Sequence, residues 1–441
     1  MNLDFDRYRR TIEGVNPFNT YGKVSGVIGL LLEGHNPEAS IGEMCRVYPE
    51  GRDRTISAEV VGFRKEKALL MPFGGLDGVG PGCRILSTGK KSNVQVGKGL
   101  LGRVIDGRGN PMDDKGPIEV EAAYPVYADP INPLKRSRIT EPMDLGVRAI
   151  NALFSCGKGQ RMGVFSGSGV GKSVLLGMIA RNTRADINVI GLVGERGREV
   201  REFIEKNLGK GGLARSVLVV ATSDMHPLIR MRAAYVATAI AEYFRDQGMD
   251  VLLMIDSLTR FAMAQREVGL SVGEPPTTKG YTPSVFSLMP KLLERAGSVE
   301  GNGSITGIYS VLVEGDDFNE PVADAARSIL DGHITLSRDL AARNHYPAID
   351  ILGSRSRVMI DIVDAEHRKR ANDIINAVAV YRKAEDMINI GAYVKGSNPE
   401  IDHAIGMIDR INQFLSQDIG ENVGFEEGRA QLLALFESQG S

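Results

Sequence analysis

The chain has 441 residues, which is enough for two or three domains, and its 42% hydrophobic and 24% charged residues are typical of globular proteins. Its 53 basic and 55 acidic residues nearly balance, so no overall charge favours binding to a nucleic-acid backbone. No apolar run approaches the roughly 18–20 residues of a membrane span, no signal-peptide core follows Met1, and the three scattered cysteines lack metal-ligand spacing. These features predict a cytoplasmic protein in a reducing compartment.

Short strand-like runs separated by glycine-rich turns fill the first part of the chain. The runs include residues 56–63 and 67–72, and the turns include Gly74-Gly75 and Pro81-Gly82. Several short strands at this spacing predict a small sandwich or barrel. A looser, proline-rich connector follows at residues 125–142.

From Gly146 onward, apolar strands alternate with helical runs. The predicted strands are residues 160–165, 187–193, 216–221, 251–256 and 304–313. Helical runs such as residues 228–245 lie between some of these strands. This alternation predicts a parallel α/β core. After about Met359, apolar residues recur at helical spacing, which predicts a helical C-terminal region.

A glycine-rich loop follows the predicted strand that ends at Phe165. The residues that would contact a nucleotide there are Gly167, Ser168, Gly169, Val170, Gly171, Lys172, Ser173 and Val174. Glycines allow successive backbone N–H groups to point into one concavity, where Lys172 can reach the β- and γ-phosphates and Ser173 can ligate Mg²⁺. Ser166 replaces the first glycine of the usual pattern. A Gly-Lys-Ser sequence between a strand and a helix nevertheless favours ATP and Mg²⁺ over a turn without a ligand.

Two carboxylates follow predicted strands and are candidates for the same site. Asp256 ends an apolar strand, where it could hold Mg²⁺ or instead cap the next helix. Glu195 follows residues 187–193 and could orient and polarise an attacking water. Spacing alone does not distinguish this role for Glu195 from a solvated, charge-rich turn.

Two further candidates lie far along the chain from the glycine-rich loop. Arg357 could reach the γ-phosphate of a neighbouring subunit as an arginine finger, or it could be a surface arginine like the nearby Arg355. Tyr346 could stack on adenine, although an isolated tyrosine more often belongs to a core or its rim. Composition leaves these alternatives open.

Several segments of the chain resemble a known family. Residues 194–199 (GERGRE), 256–261 (DSLTRF) and 347–356 (PAIDILGSRS) look like the catalytic-subunit family of rotary ATP synthases. The segments that resemble the type III protein-export ATPases, and particularly the flagellum-specific ones, are 262–270, 273–281, 313–317 and 390–397. The resemblance extends from about Gly22 to Leu435.

The resemblance implies a fold and an assembly. The α/β core would be a RecA-like P-loop ATPase domain at residues 96–360, preceded by an N-terminal extension at 1–20 and a β-barrel at 21–95. A C-terminal helical domain would follow at 361–441. Six copies would form a homohexameric ring with nucleotide bound between subunits.

The resemblance also implies residue roles on one subunit. Lys172 and Ser173 would bind phosphate and Mg²⁺, and Asp256 would support the metal. Glu195 would orient the attacking water, and Tyr346 would contact the adenine of its own subunit's nucleotide.

Three arginines complete the implied site. Arg196 and Arg260 would lie near the phosphates, and Arg357 would act on the adjacent subunit. In the family, the Ser-Arg pair that contains Arg357 usually follows a small or apolar residue. In this chain it follows Arg355.

The implied function is ATP hydrolysis that energises export of flagellar proteins at the cytoplasmic face of the export apparatus. The implied partners are a stator-like regulator dimer, which residues 1–19 would bind, a coiled-coil stalk, chaperone–substrate complexes and the membrane export gate. Membrane association would be peripheral only.

The sequence leaves three alternatives to this function. The ATPase of a virulence type III injectisome would share the same active-site motifs. Glu195 disfavours a non-catalytic ring subunit. Balanced charge and the lack of an evident aromatic platform disfavour an RNA-translocating ATPase.

Overall fold

The computed structural model describes residues 20–36, 39–51, 54–301, 303–313, 315 and 317–437. The segment predicted to bind a regulator, residues 1–19, lies outside these ranges. The chain divides into two compact units. One comprises residues up to Ser92 together with Val268–Glu274, and the other comprises Asn93–Glu267 and the chain from Pro275 onward. The domain bounds drawn from the sequence stay predictions.

The first unit contains a closed barrel of six antiparallel strands. The strands are β1 (Tyr21–Ile28), β2 (Leu31–His35), β3 (Glu43–Tyr48), β4 (Ile56–Arg64), β5 (Lys67–Pro72) and β6 (Arg84–Lys91). They pair in the order β1-β2-β5-β4-β3-β6. Alternate side chains point inward, as in β3, where Cys45 and Val47 are buried while Arg46 is exposed. The predicted barrel is therefore confirmed.

The second unit is built on a nine-stranded sheet. The remaining strands of the chain are β7 (Asn93–Val96), β8 (Val104–Asp106), β9 (Ala122–Pro125), β10 (Pro142–Met143), β11 (Cys156–Gly157), β12 (Arg161–Ser166), β13 (Ile187–Val193), β14 (Ser216–Ala221), β15 (Asp250–Asp256), β16 (Gly297–Ser298), β17 (Ser304–Leu312), β18 (Gly332–Leu336) and β19 (Ile349–Ser356). The sheet order is β19-β18-β12-β17-β15-β13-β14-β8, with β16 beside β17. Neighbouring strands in this order are parallel from β18 through to β8. The edge strand β19 is antiparallel to β18.

Helices cover the central sheet and form the C-terminal region. They are α1 (Arg148–Leu153), α2 (Lys172–Asn182), α3 (Gly197–Glu202), α4 (Gly209–Ala214), α5 (Pro227–Asp246), α6 (Leu258–Val272), α7 (Pro283–Leu293), α8 (Pro321–Ile329), α9 (Arg338–Ala342), α10 (Met359–Ile362), α11 (Ala365–Asn389), α12 (Pro399–Leu415) and α13 (Phe425–Glu437). A π-helical turn, Phe203–Leu208, joins α3 to α4. Every residue of β13 and β14 is buried, as expected for parallel strands covered on both faces. The predicted α/β core is confirmed.

The C-terminal helices are held by caps and by an apolar interior. Asp364 caps α11 by accepting from the N–H of His367, and Asn398 caps α12 by accepting from two N–H groups. Ile374 and Ile411 are completely buried between the helices. This arrangement confirms the predicted helical region. No helix of the described residues is long and apolar enough to cross a membrane.

A buried ion pair links α5 to the segment before β16. Arg295 is completely buried, and its Nε and Nη2 donate to the two carboxylate oxygens of Glu242 at 2.8 and 2.6 Å. Its Nη1 donates to the carbonyl of Val126 at 2.6 Å. The guanidinium charge is thus removed from water and balanced by one carboxylate.

We expect Glu242→Gln to lower the free energy of unfolding by about 3–5 kcal/mol, because it leaves the buried Arg295 charge without a counter-ion. Urea denaturation measures the loss. Glu205→Gln is the matched control, since Glu205 pairs with Arg201 on the surface, where solvent screens the pair, and its loss should change the free energy of unfolding little. Equal losses in the two variants would contradict the structural role given to the buried pair.

Candidate active site

The glycine-rich loop joins the end of β12 to the start of α2. Gly169 and Gly171 have φ values of 80° and 92°, which a residue with a Cβ rarely adopts. Ser168 is exposed, whereas Gly167 and Val170 are buried. Gly171 is the N-cap of α2, and the first N–H groups of a helix have no partner within it, so such a helix start after a glycine-rich loop is an arrangement that binds phosphates. Ser166 is completely buried at the end of β12.

The lysine of the loop contacts two carboxylates from neighbouring strands. Lys172 Nζ donates to Asp256 Oδ1 and lies 3.8 Å from Glu195 Oε1. Ser310 of β17 donates its hydroxyl to the same oxygen of Asp256. The carboxyl ends of β12, β13, β15 and β17 meet at one edge of the sheet because these strands run in parallel. The structure therefore brings Lys172, Glu195 and Asp256 together, as the resemblance implied.

The carboxyl group of Glu195 has a raised pKa and one oxygen without a hydrogen-bond partner among the described residues. Burial and the nearby charge of Asp256 raise the pKa of Glu195 to about 7, although Lys172 opposes the shift. Its Oε1 is buried and accepts no hydrogen bond from any group in the described residues. A carboxylate with these properties can accept a proton or a hydrogen bond from water at a neighbouring phosphate.

The two arginines implied near the phosphates lie in different surroundings. Arg260, near the start of α6, packs against Gly194, where an added Cβ would lie 2.8 Å from the Arg260 Cβ. Its Nε is buried and has no hydrogen-bond partner within the described ranges. The Arg196 side chain is exposed, and its Nη1 donates to Glu199 Oε1 at 3.2 Å. Arg260 thus lies beside Gly194, the residue before Glu195, whereas the Arg196 side chain is paired with Glu199.

An apolar cavity of about 410 Å³ adjoins the loop. Its lining includes Val174 and Met178 of α2 together with Tyr346, whose ring lies 3.5 Å from the position a Cβ on Gly171 would take. A flat aromatic ring such as adenine can stack against this lining. The Tyr346 carbonyl accepts from the N–H of Gln417 at 3.0 Å.

The same cavity contains residues that sequence reasoning missed. Gln417, Asp418 and Ile419 line it from the segment that follows α12. Their positions depend on how the C-terminal helices fold back onto the sheet. No motif or spacing in the sequence connects them to Tyr346.

Arg357 follows β19 and lies away from the glycine-rich loop. Its N–H donates to the Asp331 carbonyl at 2.9 Å, and its Nη2 is 3.5 Å from the Arg327 carbonyl. It lines a second cavity, of about 280 Å³, whose lining includes no residue of the loop. One subunit alone therefore does not bring Arg357 to Lys172.

The residues expected to hold Mg²⁺ fit that ion. Asp256 offers a buried carboxylate, and Ser173 offers an exposed hydroxyl one residue beyond Lys172. Mg²⁺ prefers oxygen ligands and commonly keeps waters and phosphate oxygens, so it needs only one or two protein groups. The described residues hold no cluster of three His, Cys, Asp or Glu side chains for a metal bound by protein alone.

Comparison with known families agrees with this architecture. The model for the ATP synthase alpha/beta family, nucleotide-binding domain, matches residues 146–356. The beta-barrel domain model of that family matches residues 24–89, and the T3SS EscN ATPase C-terminal domain model matches residues 363–434. The fold and the site therefore define an ATPase of the ATP synthase alpha/beta class.

Curated relatives narrow the class. The chain is 54% identical over 427 residues to a flagellum-specific ATP synthase of Bacillus subtilis, covering 96% of this chain and 97% of that protein. It is 52% identical over 408 residues to a type 3 secretion system ATPase of Xanthomonas euvesicatoria, covering 92% of each. The chain belongs to the family of flagellar and type III secretion ATPases.

Solved structures agree with this membership. The assembled ATPase EscN of enteropathogenic E. coli matches with a TM-score of 0.89 at 46% identity, covering 94% of this chain and 99% of that chain. EscN in complex with its central stalk EscO matches with a TM-score of 0.86 at 46% identity and the same coverage.

Proposed function

We propose that this chain hydrolyses ATP to ADP and phosphate and that a ring of six copies couples the reaction to export of flagellar proteins. The observation that carries the proposal is the meeting of Lys172, Glu195 and Asp256 at the start of α2. These are the groups that hydrolysis of a phosphoanhydride needs: a phosphate-binding cation, a carboxylate for water and a carboxylate for the metal.

In the proposed reaction, Lys172 exchanges Asp256 for the β- and γ-phosphates when ATP binds. Glu195 orients the attacking water through Oε1, which accepts no hydrogen bond from the described residues. Arg260 lies beside Gly194, where it can balance negative charge on the phosphates. Ser173 and Asp256 would hold Mg²⁺, which supplies positive charge against the phosphate oxygens. Tyr346 holds the base in the apolar cavity.

The position of Arg357 supports the ring. Arg357 is exposed and lines a second cavity that contains no residue of the glycine-rich loop, so we infer that it acts on a nucleotide held by another copy. An arginine supplied in this way stabilises charge on the transferred phosphoryl group. The assembled EscN and its central stalk EscO support a homohexamer and a coiled-coil stalk partner for this chain.

Further partners belong to the proposal. They are a stator-like regulator dimer, export chaperones with their substrates, and the membrane export gate. The ring would work at the cytoplasmic face of the export apparatus, with peripheral membrane contact and no nucleic acid. ATP binding would close an interface between subunits, and loss of the γ-phosphate contacts would reopen it.

A virulence injectisome is the second candidate, because the 52% identity to a type 3 secretion system ATPase is close to the 54% identity to a flagellar relative. Neighbouring genes for rod, hook or flagellar export proteins would favour the flagellar role. The two roles share the same chemistry, so the distinction requires a test in cells.

A strain carrying Lys172→Ala is expected to be non-motile and to secrete no hook protein, because loss of the phosphate-binding cation lowers hydrolysis by about 10²-fold or more. Motility and secreted hook protein are measured together. Lys206→Ala is the matched control, since Lys206 pairs with Glu202 on the surface and its loss should change neither. Normal motility of the Lys172→Ala strain would refute the flagellar role, and lost injection of effectors in that strain would favour the injectisome.

A further inference from the structure

The cavity beside Arg357 is lined mainly by basic side chains. Arg327 comes from α8, His333 from β18, Arg355 from the end of β19, and Arg357 from the residue after β19. Asp324 is the one acidic side chain among the residues of this lining. We call the cavity that these five residues line the arginine cavity.

The strand geometry places these groups on one side of the sheet edge. Strands β18 and β19 are antiparallel, and His333 lies directly opposite Arg355. Arg355 at the end of β19 and Arg357 just after it both line this cavity. Ser356 between them points inward and donates its hydroxyl to the Ser155 carbonyl at 2.9 Å. Arg355 is therefore oriented by the same backbone that orients Arg357.

The cationic groups of the arginine cavity outnumber their counter-ions. Arg327 Nη2 donates to the Phe318 carbonyl at 2.8 Å and lies 3.5 Å from Asp324 Oδ1. Arg355 and Arg357 are exposed and form no ion pair with any side chain in the described parts of the chain. Burial and the charges of Arg327, Arg357 and Arg355 lower the pKa of His333, which keeps its ring neutral near pH 7.

Three guanidinium groups around one cavity repel one another, and an anion bound among them would relieve that repulsion. A transferred phosphoryl group spreads its charge over three oxygens, so a single arginine leaves part of that charge unopposed. A second guanidinium on the same face can take another oxygen through its planar fork.

We propose that Arg355 is a second phosphate-binding residue, which together with Arg357 contacts the terminal phosphates of ATP held by the neighbouring subunit. The inference rests on the proposed ring with nucleotide between subunits. Arg327, tied to Phe318 and Asp324, borders the cavity and adds positive charge.

The first test measures steady-state hydrolysis by homomeric rings. Arg355→Leu is expected to lower kcat about tenfold with little change in KM, because a charge-assisted contact made in the transition state is lost. Arg355→Lys should recover part of the loss because it restores charge without the fork. Lys369→Leu is the matched control: Lys369 is exposed in α11, forms no ion pair with a described residue, and its loss should leave kcat unchanged.

The second test asks on which subunit Arg355 acts. Wild-type subunits are mixed in equal amounts with Lys172→Ala subunits, with Lys172→Ala/Arg355→Leu subunits, or with Lys172→Ala/Arg357→Ala subunits. Only the wild-type subunits in these rings can hydrolyse ATP. A substitution on the partner copy therefore lowers turnover only if it acts across the interface.

We expect both double variants to lower turnover below that of the mixture with Lys172→Ala alone. A decrease with Arg357→Ala and none with Arg355→Leu would overturn this inference and leave the ring proposal intact. No decrease with either would contradict the ring proposal itself. If every mixture with Lys172→Ala is inactive, the affinity of homomeric Arg355→Leu rings for ADP with aluminium fluoride is measured instead. An affinity equal to that of wild-type rings would overturn the inference. A loss of ring assembly with an unchanged kcat per assembled ring would overturn it as well.

Discussion

Replacing Arg357 with alanine is expected to lower kcat for ATP about 10³-fold while the affinity of isolated subunits for ATP stays unchanged. Arg357 lies outside the cavity that contains Tyr346 and the glycine-rich loop, so its removal leaves the subunit's own nucleotide contacts in place. The lost contact is one that forms only when the phosphoryl group is transferred. Steady-state hydrolysis and equilibrium ATP binding, measured on the same preparation, separate the two effects.

A mixing experiment provides the control for this prediction. Rings assembled from Lys172→Ala and Arg357→Ala subunits should regain activity, because some interfaces pair an intact loop with an intact arginine. Rings made from the double variant alone should stay inactive. If rings assemble from the mixture but stay inactive, Arg357 is not the arginine that acts on the neighbouring subunit's nucleotide, or hydrolysis requires all six sites to be intact.

Replacing Glu195 with glutamine is expected to lower kcat about 10³-fold with ATP binding largely retained. Glutamine keeps the size of the side chain but cannot take a proton from the attacking water. The Oε1 of Glu195 accepts no hydrogen bond within the described residues, so the substitution breaks no hydrogen bond at that atom, although it removes a charge 3.8 Å from Lys172 Nζ. Single-turnover hydrolysis and titration with ATP measure the two quantities.

Glu202→Gln is the matched control for the Glu195 substitution. Glu202 is the last residue of α3, the helix that follows Glu195, and it pairs with Lys206 on the surface. Its replacement should leave turnover within about twofold, in keeping with the small energies of surface ion pairs. Undiminished turnover in Glu195→Gln would remove the catalytic role proposed for that residue.

Elements with strong local signals could be predicted from the sequence. The bounds expected for β13 and β14 agree with the structure, because buried parallel strands appear as continuous apolar runs between polar turns. The start of α2 followed from Gly-Lys-Ser, and the C-terminal helices followed from apolar residues at helical spacing. In each case, the information lies within one segment.

Features made by distant segments could not be predicted in this way. Gln417 reaches Tyr346 only because the chain after α12 returns to the sheet, and His333 faces Arg355 only because β18 and β19 pair in one register. Arg196 is a different case. The resemblance implies that it lies near the phosphates, whereas the structure pairs it with Glu199, and its role stays a prediction.

Strand β19 lies between the segment that holds Tyr346 and the arginine that would serve the next copy. Its eight residues span about 26 Å of nearly inextensible backbone. Its ends are fastened separately, through Gln417 at Tyr346 and through the Asp331 carbonyl at Arg357. In a ring, Tyr346 before this strand and Arg357 after it would face two different nucleotides, so β19 would be the covalent connection between two neighbouring sites.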